Sequence, residues 1–478
     1  MSEELPEGWR ARPLSEIADI EAGLTKNGAL RARSRKIVPL VSVAAVQSRR
    51  IDVGELSTIG LLEADRDRGT LAPGDVLVVE GNGSLAHLGR AAMWNNEVPD
   101  ARLQNHILRV RAHACDSAWL LEWLASPDGR AAIREQAVSA TGLYTLSKAK
   151  LGALSVPIAP HEQERSIVAR LGALRARSRR AKDALDAVPA LLDRLRQSIL
   201  AAAFRGDLTA DWREQNPAVE PASELLKRIR LERRRRWEEA ELAKMLAKGK
   251  PPKDALWKSK YVEPEPVDDG ELPELPEGWS WATGTQLFEF VTSGSRGWAE
   301  YYSAEGAAFL RVGNTRRDDI RLDLSELQRV QTPTNVEGER TRVRQGDIVV
   351  SITADLGRVG YVQEQIGPAY VSQHLALIRL CLPELAEYIA LWLSSPLGQH
   401  LLKLRDRGMT KAGLGLDDVR SVPIPLAPRA EIAAVVARAA SQVRGRFQMV
   451  ESTTAVARSQ ILALDRVTLS AAFRGGLS

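Results

Sequence analysis

The fold is decided by the stretch at residues 167–206, which reads IVARLGALRARSRRAKDALDAVPALLDRLRQSILAAAFRG. Its apolar and small residues recur in alternating steps of four and three, which is the spacing of a coiled-coil seam. The seam positions are Ile167, Leu171, Leu174, Ser178, Ala181, Leu185, Val188, Leu192, Leu195, Ile199 and Ala202. At about 1.5 Å per residue the stretch predicts a helical rod of roughly 50 Å. A kink is expected at Pro189, where a backbone hydrogen bond is missing.

A second seam in the same register starts at Val436, 269 residues after Ile167. Its positions are Val436, Ala440, Val443, Phe447, Val450, Thr454, Ala457, Ile461, Leu464, Thr468 and Ala471. An isolated helix would leave such a stripe in water, whereas two matching stripes bury each other. We therefore predict that the two helices pair within the chain as an antiparallel coiled coil.

The repeat extends beyond the helices and covers most of the chain. The repeated pairs are LPEGW starting at Leu5 and Leu275, AAFRG starting at Ala202 and Ala471, a Gly-Asp turn at Gly74 and Gly346, and His106 with His374. A repeat of this length exceeds the roughly 20 to 50 residues of solenoid units. It indicates two similar domains, and therefore a partner that has two sites.

Each copy has a mixed front part and a helical back part. Strands are predicted from Ile37, Asp75, Ala308 and Asp347, and short helices at 119–125 and 385–393, so the fold class is α/β (α+β). A charged helix is predicted at 222–245, followed by an extended linker. The predicted divisions are 1–155 for the first domain, 156–207 for the first long helix, 208–272 for the charged helix and linker, 273–422 for the second domain, and 423–478 for the second long helix.

Composition limits the classes of protein to consider. The 478 residues include 66 basic and 61 acidic residues, for a net charge of +5, which permits a local nucleic-acid-binding face. Cys115 and Cys381 lie far apart, so neither a disulfide framework nor a zinc site is expected. The sequence has no apolar run of membrane-spanning length and no signal segment, so we expect a cytoplasmic protein without a membrane partner.

Motifs for catalysis are missing from the sequence. There is no GxxxxGK[ST] phosphate loop, no GxSxG elbow and no HExxH helix. The glycine and Asn/Asp-Pro-Pro-aromatic motifs of an adenine methyltransferase are absent as well. We therefore predict a chain that is not an enzyme, with no metal site and no bound cofactor.

The residues resemble a known family, the DNA specificity (S) subunits of type I restriction-modification systems. The resemblance rests on LPEGW at the start of each half, on VPIAPHEQERSIVARL and VPIPLAPRAEIAAVVARA before the long helices, and on RQSILAAAFRGDLTADWREQNP at the end of the first. It implies two target recognition domains that each read one half of a split, asymmetric sequence in double-stranded DNA. It also implies that the paired helices act as a ruler for the gap between the halves.

The resemblance further implies the partners of the chain. Two modification (methyltransferase) subunits would dock on it and use S-adenosylmethionine to methylate adenine. Restriction and translocase subunits would join them and use ATP and magnesium. These cofactors would belong to the partners.

Side chains that suit base readout and phosphate contact cluster in the front parts, where the two copies differ. In the first domain they are Lys26, Asn27, Arg31, Arg33, Arg35, Lys36, Asn82, Ser84, Gln104, Asn105, His106, Thr141 and Tyr144. In the second they are Ser295, Arg296, Trp298, Asn314, Thr315, Arg316, Arg317, Thr353, Gln373, His374, Arg405, Arg407, Thr410 and Lys411. For each single residue, a solvated surface position is the alternative.

Other interpretations stay open at this point. The chain could be a coiled-coil scaffold for protein assembly, a specificity subunit of a system that only methylates, or an enzyme with an unfamiliar site. The run of arginines at 233–236 could grip phosphates, but the glutamates around it favour a solvated helix laced with ion pairs.

Overall fold

The computed structural model describes residues 5–26, 34, 36–140, 142–331, 339–406 and 413–476. The chain divides into two compact units. The first unit consists of residues 1–186 together with 453–478, and the second of residues 187–452. Each unit therefore contains one front domain together with part of each long helix.

The two long helices span His161–Phe204 and Arg429–Ala472, and the first continues through Pro189. The shorter α-helices of the first unit are Leu14–Ile17, Ser117–Ala125, Pro127–Gln136 and Lys148–Gly152. Those of the second unit are Ala210–Gln215, Ala222–Ala247, Gly284–Leu287, Ala386–Leu393, Pro396–Lys403 and Leu416–Arg420. The predicted short helices and the charged helix are confirmed.

The first unit is organised around a four-stranded antiparallel sheet in the order β2-β11-β7-β9. Its strands are β1 Arg10–Pro13, β2 Ala18–Ala22, β3 Ile37–Val41, β4 Val46–Gln47, β5 Arg50–Ile51, β6 Ser57–Gly60, β7 Val76–Val79, β8 Gly81–Asn82, β9 Ala91–Met93, β10 Arg102–Leu103, β11 Ile107–Ala112, β12 Val138–Ala140, β13 Leu143–Thr145 and β14 Ser155–Ile158. All four residues of β7 are buried, so this strand lies at the centre of the core.

The second unit repeats this plan in the sheet order β16-β23-β20-β21. Its strands are β15 Ser280–Thr283, β16 Phe288–Ser293, β17 Tyr302–Ser303, β18 Ala307–Leu310, β19 Gln328–Val330, β20 Ile348–Ser351, β21 Val359–Tyr361, β22 Ala369–Val371, β23 Leu375–Leu380 and β24 Pro423–Leu426. The internal repeat and the mixed fold class are therefore confirmed.

The structure shows why glycine and aspartate recur together in the repeated Gly-Asp turn. Gly74 and Gly346 have φ angles of 90° and 85°, a left-handed conformation that glycine adopts without strain. The aspartate that follows each glycine is buried and pairs with an arginine of the neighbouring strand: Arg111 Nε donates to Asp75 at 2.7 Å, and Arg379 Nε donates to Asp347 at 2.8 Å.

The AAFRG repeat anchors the end of each long helix in a core of aromatic rings. In the first unit, the ring centroid of Phe473 lies 4.6 Å from that of Trp119. In the second unit, Phe204 lies 5.2 Å from both Tyr388 and Trp392. The phenylalanine of one copy thus packs in the front domain of the other copy.

The predicted domain boundaries cut strand β14 and leave strand β24 outside its domain, so they have to be moved. Strand β14 pairs antiparallel with β1, and β24 pairs in the same way with β15. Residues 155–158 and 423–426 are therefore sheet residues of the front domains. The long helices begin only after them, at His161 and Arg429.

The helices run antiparallel, as predicted. Within the first unit, Ser178 Oγ donates to Asp465 Oδ1 at 3.1 Å and Arg458 donates to Asp186 Oδ1 at 2.8 Å, so a higher number on one helix meets a lower number on the other. Most of the predicted seam positions are buried or half-buried.

The predicted seam has three exceptions. Leu464 is 60% exposed, and its neighbour Asp465 faces the partner helix instead. Leu174 and Ala181 are exposed as well. The predicted seam is therefore wrong at these three positions, and next to one of them the polar pair Ser178–Asp465 lies between the helices.

The charged helix Ala222–Ala247 is held at both ends. Near its start, Ala222, Leu225 and Ile229 are buried in the core of the second unit. Further along, Trp237 lies 6.0 Å from Trp257 and 5.4 Å from Tyr261, measured between ring centroids. The segment after the helix therefore packs against it through aromatic rings. The sequence predicts an extended linker at this place.

Candidate nucleic-acid interface

In each unit, a glycine at the start of a loop with predicted DNA contacts packs against the main chain. A β-carbon on Gly23 would lie 2.1 Å from the carbonyl oxygen of Leu103, and one on Gly294 would lie 2.1 Å from that of Val371. No larger residue fits at such a distance. In each unit the chain at the glycine therefore lies beside the turn that carries the repeated histidine, through Asn105 N to Leu24 O at 2.9 Å and Gly294 N to Ser372 O at 3.3 Å.

In the second unit the histidine is held by two polar neighbours. His374 Nδ1 lies 2.6 Å from Thr353 Oγ1, and His374 Nε2 lies 3.1 Å from Gln373 Nε2. His374 itself is exposed. The residue after Thr353 is Ala354, whose φ of 62° is strained for a side chain with a β-carbon. Strain of this kind is typical of functional turns.

In the first unit the repeated histidine has a carboxylate as its neighbour. His106 is exposed, and its carbonyl accepts a hydrogen bond from the backbone of Glu80 at 3.0 Å. Burial raises the pKa of the Glu80 carboxyl, and the nearby His106 partly opposes that rise. Asn82 and Tyr144 pair in register on the adjoining strands β8 and β13. These residues therefore share one edge of the domain.

The other predicted residues of the first unit differ in burial where the structure describes them. Ser84 is exposed, and its backbone N–H donates to Asn82 Oδ1 at 2.9 Å. Gln104 and Asn105 are half-buried in the turn before His106. Lys26 and Lys36 are exposed at the two ends of the loop. Asn27, Arg31, Arg33, Arg35 and Thr141 lie outside the described residues.

In the second unit, Arg296 and Ser295 follow Gly294 directly. Arg296 is exposed, and Ser295 Oγ accepts from Arg340 at 3.2 Å. Trp298 is 4% exposed and stacks on Phe309 at 5.1 Å between centroids, so it forms a wall of the site. Arg407, Thr410 and Lys411 lie outside the described residues.

Two predicted DNA contacts are contradicted by burial. Asn314 is 4% exposed, and its Nδ2 donates to the carbonyl oxygens of Asp323 and Glu326 at 2.9 and 3.2 Å. Thr315 is fully buried, and its hydroxyl donates to the carbonyl of Val312 at 2.7 Å. Both side chains are buried and bond to their own loop, which favours a structural role.

Three predicted arginines are exposed or half-buried but are engaged in the protein. Arg316 pairs with Asp318 at 3.3 Å, and Arg317 pairs with Asp355. Arg405 donates to the carbonyl of Leu401 at 2.8 Å, and burial lowers the pKa of its guanidinium. These contacts favour a structural role for the three side chains.

The arginines at 233–236 are engaged in a similar way. Arg235 and Arg236 share Glu232, with a distance of 2.7 Å in each pair, and Arg234 pairs with Glu238 at 3.2 Å. The two arginines lower the pKa of the Glu232 carboxyl to about 2. This agrees with the alternative of a helix laced with ion pairs.

Some residues of the sites were not found from the sequence. Glu80 was missed because it is not repeated, since Ile352 stands at the equivalent position in the second unit. Ser372, Tyr302 and Arg340 were missed because they come near the loop only through the sheet. Gly23 and Gly294 carried a signal that could have been used, since both stand at equivalent points of the repeat.

Across the described residues, no group of three or more His, Cys, Asp and Glu side chains is placed to hold a metal ion. No helix in the described ranges is both long and apolar enough to cross a bilayer.

Comparison with known proteins gives relatives of one kind. The chain is 29% identical over 233 residues to the type I restriction enzyme StySPI specificity subunit of Salmonella potsdam, covering 47% of this chain and 50% of that protein. It is 24% identical over 394 residues to the EcoBI specificity subunit of Escherichia coli, covering 81% of this chain and 71% of that protein. The match thus spans about half the length of the first relative. No family model matches the chain.

Solved structures with the same fold are of the same kind. A chain from a structure of the assembly and conformational transition of the type I R-M system superposes with a TM-score of 0.64 at 17% identity, covering 99% of each chain. The crystal structure of the HsdS subunit from Thermoanaerobacter tengcongensis superposes with a TM-score of 0.54 at 17% identity, covering 99% of this chain and 98% of that chain. The resemblance to type I specificity subunits is therefore confirmed.

Proposed function

We propose that this chain is the DNA specificity subunit of a type I restriction-modification system and reads a bipartite, asymmetric site. Each unit reads one half of that site through the edge that carries its histidine. One observation carries the proposal: the two units place the same frame, His106 or His374 at the start of a core strand, among different side chains. A repeated frame with unequal surroundings fits two half-sites of different sequence.

The chain is proposed to act without catalysis of its own. Two methyltransferase subunits with S-adenosylmethionine would dock on it, and restriction subunits would supply ATP- and magnesium-dependent cleavage. The relatives support this assignment, because each is named as a specificity subunit of a restriction enzyme.

Paired alanine variants test the proposal. The bound sequence is first established by sequencing methylated adenines in cells that carry the gene with its methyltransferase partner. His106→Ala should then weaken binding of the assembled complex to one half-site, and His374→Ala should weaken binding to the other. Loss of one bidentate or hydrogen-bonded base contact costs about 1–3 kcal/mol, which is roughly 5- to 150-fold in affinity.

His113→Ala is the matched control, because His113 is exposed near the far end of the strand that His106 precedes. It should leave affinity for both halves unchanged. A uniform loss across all sequences in all three variants would contradict half-site reading. Complete absence of sequence-specific binding would contradict the proposed function itself.

A further inference from the structure

A pocket of about 520 Å³ opens beside the loop that follows Gly294 in the second unit. Trp298, Tyr302 and Phe309 form its aromatic lining. Trp298 and Phe309 stack nearly parallel at 14°, while Tyr302 stands 5.8 Å from Phe309 and is 43% exposed at the rim. The lining therefore offers a buried aromatic wall and an exposed ring that a planar group can stack on.

Two polar atoms of the lining have no partner among the described residues. Ser372 is 5% exposed, and its hydroxyl is buried without a hydrogen bond. The side-chain oxygen of Gln373 is buried and unpaired in the same way. A buried polar atom without a partner is unfavourable, so a small rotation of either side chain toward a ligand in the pocket would be favoured.

The unpaired oxygen of Gln373 is held in a fixed direction. The amide nitrogen of Gln373 lies 3.1 Å from His374 Nε2, and Thr353 holds the other ring nitrogen of His374 at 2.6 Å. One fixed acceptor next to a hydroxyl that both donates and accepts suits the edge of a heterocyclic base.

The charges of the lining argue against a phosphate ligand. Arg311 and Glu326 both line the pocket, so a cation and an anion offset each other. A neutral, flat ring with hydrogen-bonding groups on its edge fits aromatic walls and two unpaired polar atoms better than an anion does.

We propose that this pocket receives one nucleobase that has left its stack. In the setting of the proposed function, on which this inference rests, the base comes from the second half-site. It would stack on Tyr302 and bond through its edge to Ser372 and Gln373, as enzymes that flip bases do in their own pockets. The energy of this contact would contribute to recognition of the second half-site.

Affinity for mispaired duplexes tests the inference in the assembled complex. A base that must unpair binds more tightly when it starts mispaired or opposite an abasic site, because the cost of unpairing is lower. A set of duplexes with one abasic position each, moved along both half-sites, should show one position in the second half where affinity rises about tenfold, for an unpairing cost of a few kcal/mol that is only partly relieved.

Tyr302→Ala and Ser372→Ala should remove this gain and leave gains at other positions in place. Tyr301→Ala is the matched control, because Tyr301 directly precedes Tyr302 and is 38% exposed but does not line the pocket. A gain that persists in the two pocket variants would overturn the inference. So would specific binding without any gain in the second half, whereas a chain without specific binding would fail the proposed function instead.

A titration with free nucleotides tests whether the pocket binds a free nucleotide instead of a base of DNA. The complex without DNA is titrated with each nucleoside monophosphate in a calorimeter. Weak or absent binding is expected, because a detached base brings no duplex contacts. Tight binding that Tyr302→Ala abolishes, with no gain on abasic duplexes, would overturn the assignment to DNA.

Discussion

The two units keep the same backbone around the repeated histidine and change the side chain beneath it. The backbone N–H that donates to the histidine carbonyl belongs to Glu80 in the first unit and to Ile352 in the second, at 3.0 Å in each. The half-buried carboxyl group of Glu80 in the first unit is therefore replaced by the apolar side chain of Ile352 in the second. The duplication preserves the hydrogen bond that positions the repeated histidine and leaves the side chains around it free to differ.

The same contrast appears where each front domain meets its helix. In the first unit, Trp9 Nε1 donates to the neutral amide of Gln163 at 3.0 Å. In the second, Trp279 Nε1 donates at 2.9 Å to Glu431, which also accepts from Thr209 and Arg213 at 2.6 and 2.7 Å. Glu431 is fully buried. The second unit therefore depends on a buried ionic network at a place where the first uses a single neutral bond.

Removing Glu431 should have the largest effect on stability. Glu431→Ala leaves Trp279 Nε1 without an acceptor and Arg213 without its carboxylate partner, and breaking a buried pair costs about 3–5 kcal/mol. Gln163→Ala, the equivalent change in the first unit, should cost about 1 kcal/mol. Urea unfolding of the two variants measures the difference. Equal losses would break the comparison between a charged and a neutral anchor.

Removing Glu122 should have the next largest effect. Glu122 is 7% exposed and pairs with Arg175 of the first long helix and with Arg49 at 3.1 Å. Burial lowers the pKa of the Arg49 guanidinium, so this cation depends on its partner. Glu122→Leu copies Leu391 of the second unit and should destabilise the first unit by about 2–3 kcal/mol.

Hydrogen exchange locates that effect. Amides of Ser117–Ala125 should exchange faster in Glu122→Leu, while those of the equivalent Ala386–Leu393 should keep their rates. Faster exchange in both helices would mean that the two units do not respond separately.

The carboxyl of Glu80 should make the first half-site sensitive to pH. Burial raises its pKa, so the folded chain keeps the proton above the usual glutamate range. As pH rises through the raised pKa the charge appears, the stability that the neutral form contributed is lost, and DNA phosphates are repelled. Affinity for the first half-site should fall by about threefold, as for like charges about 7 Å apart in water.

Glu80→Gln should flatten this pH profile without changing the profile for the second half-site, where Ile352 stands at the equivalent place. Binding measured from pH 5 to 7.5 on duplexes altered in one half at a time gives both profiles. An unchanged profile in Glu80→Gln would assign the pH dependence to another group.

The smallest effect is expected on the surface of the helix pair. Arg458 and Asp186 form an ion pair at 2.8 Å with about half of each side chain exposed. Arg458→Gln should cost less than about 0.5 kcal/mol, because solvent and salt screen such pairs. Thermal unfolding at low and high salt checks this. A large loss would mean that the helices depend on polar contacts more than on their apolar seam.

Local patterns in the sequence predicted the elements well. The helices at 119–125 and 222–245 follow from apolar spacing and stop signals, and the antiparallel pairing follows from two seams in one register. The seam failed at Leu464, where the neighbouring Asp465 and not the leucine contacts the partner helix through Ser178. The boundaries at 155 and 422 failed because strands β14 and β24 pair with partners far away along the chain.

The candidate sites were harder to predict for the same physical reason. Asn314 has the side chain of a base reader, but the carbonyl groups that it bonds lie 9 and 12 residues further on. Ser372 looks ordinary in the sequence and becomes notable only when the sheet buries its hydroxyl beside Trp298. Burial and partners decide such roles, and neither is visible in a local pattern.

The division of the long helices between the units has a consequence for synthesis on the ribosome. The second unit is continuous, residues 187–452, whereas the first also needs residues from 453 onward, including Phe473 against Trp119. At about 5–20 residues per second, synthesis from residue 186 to Phe473 takes roughly 14 to 57 s. During that time the surface around Trp119 is uncovered, so this half of the nascent chain is the part that most needs a chaperone.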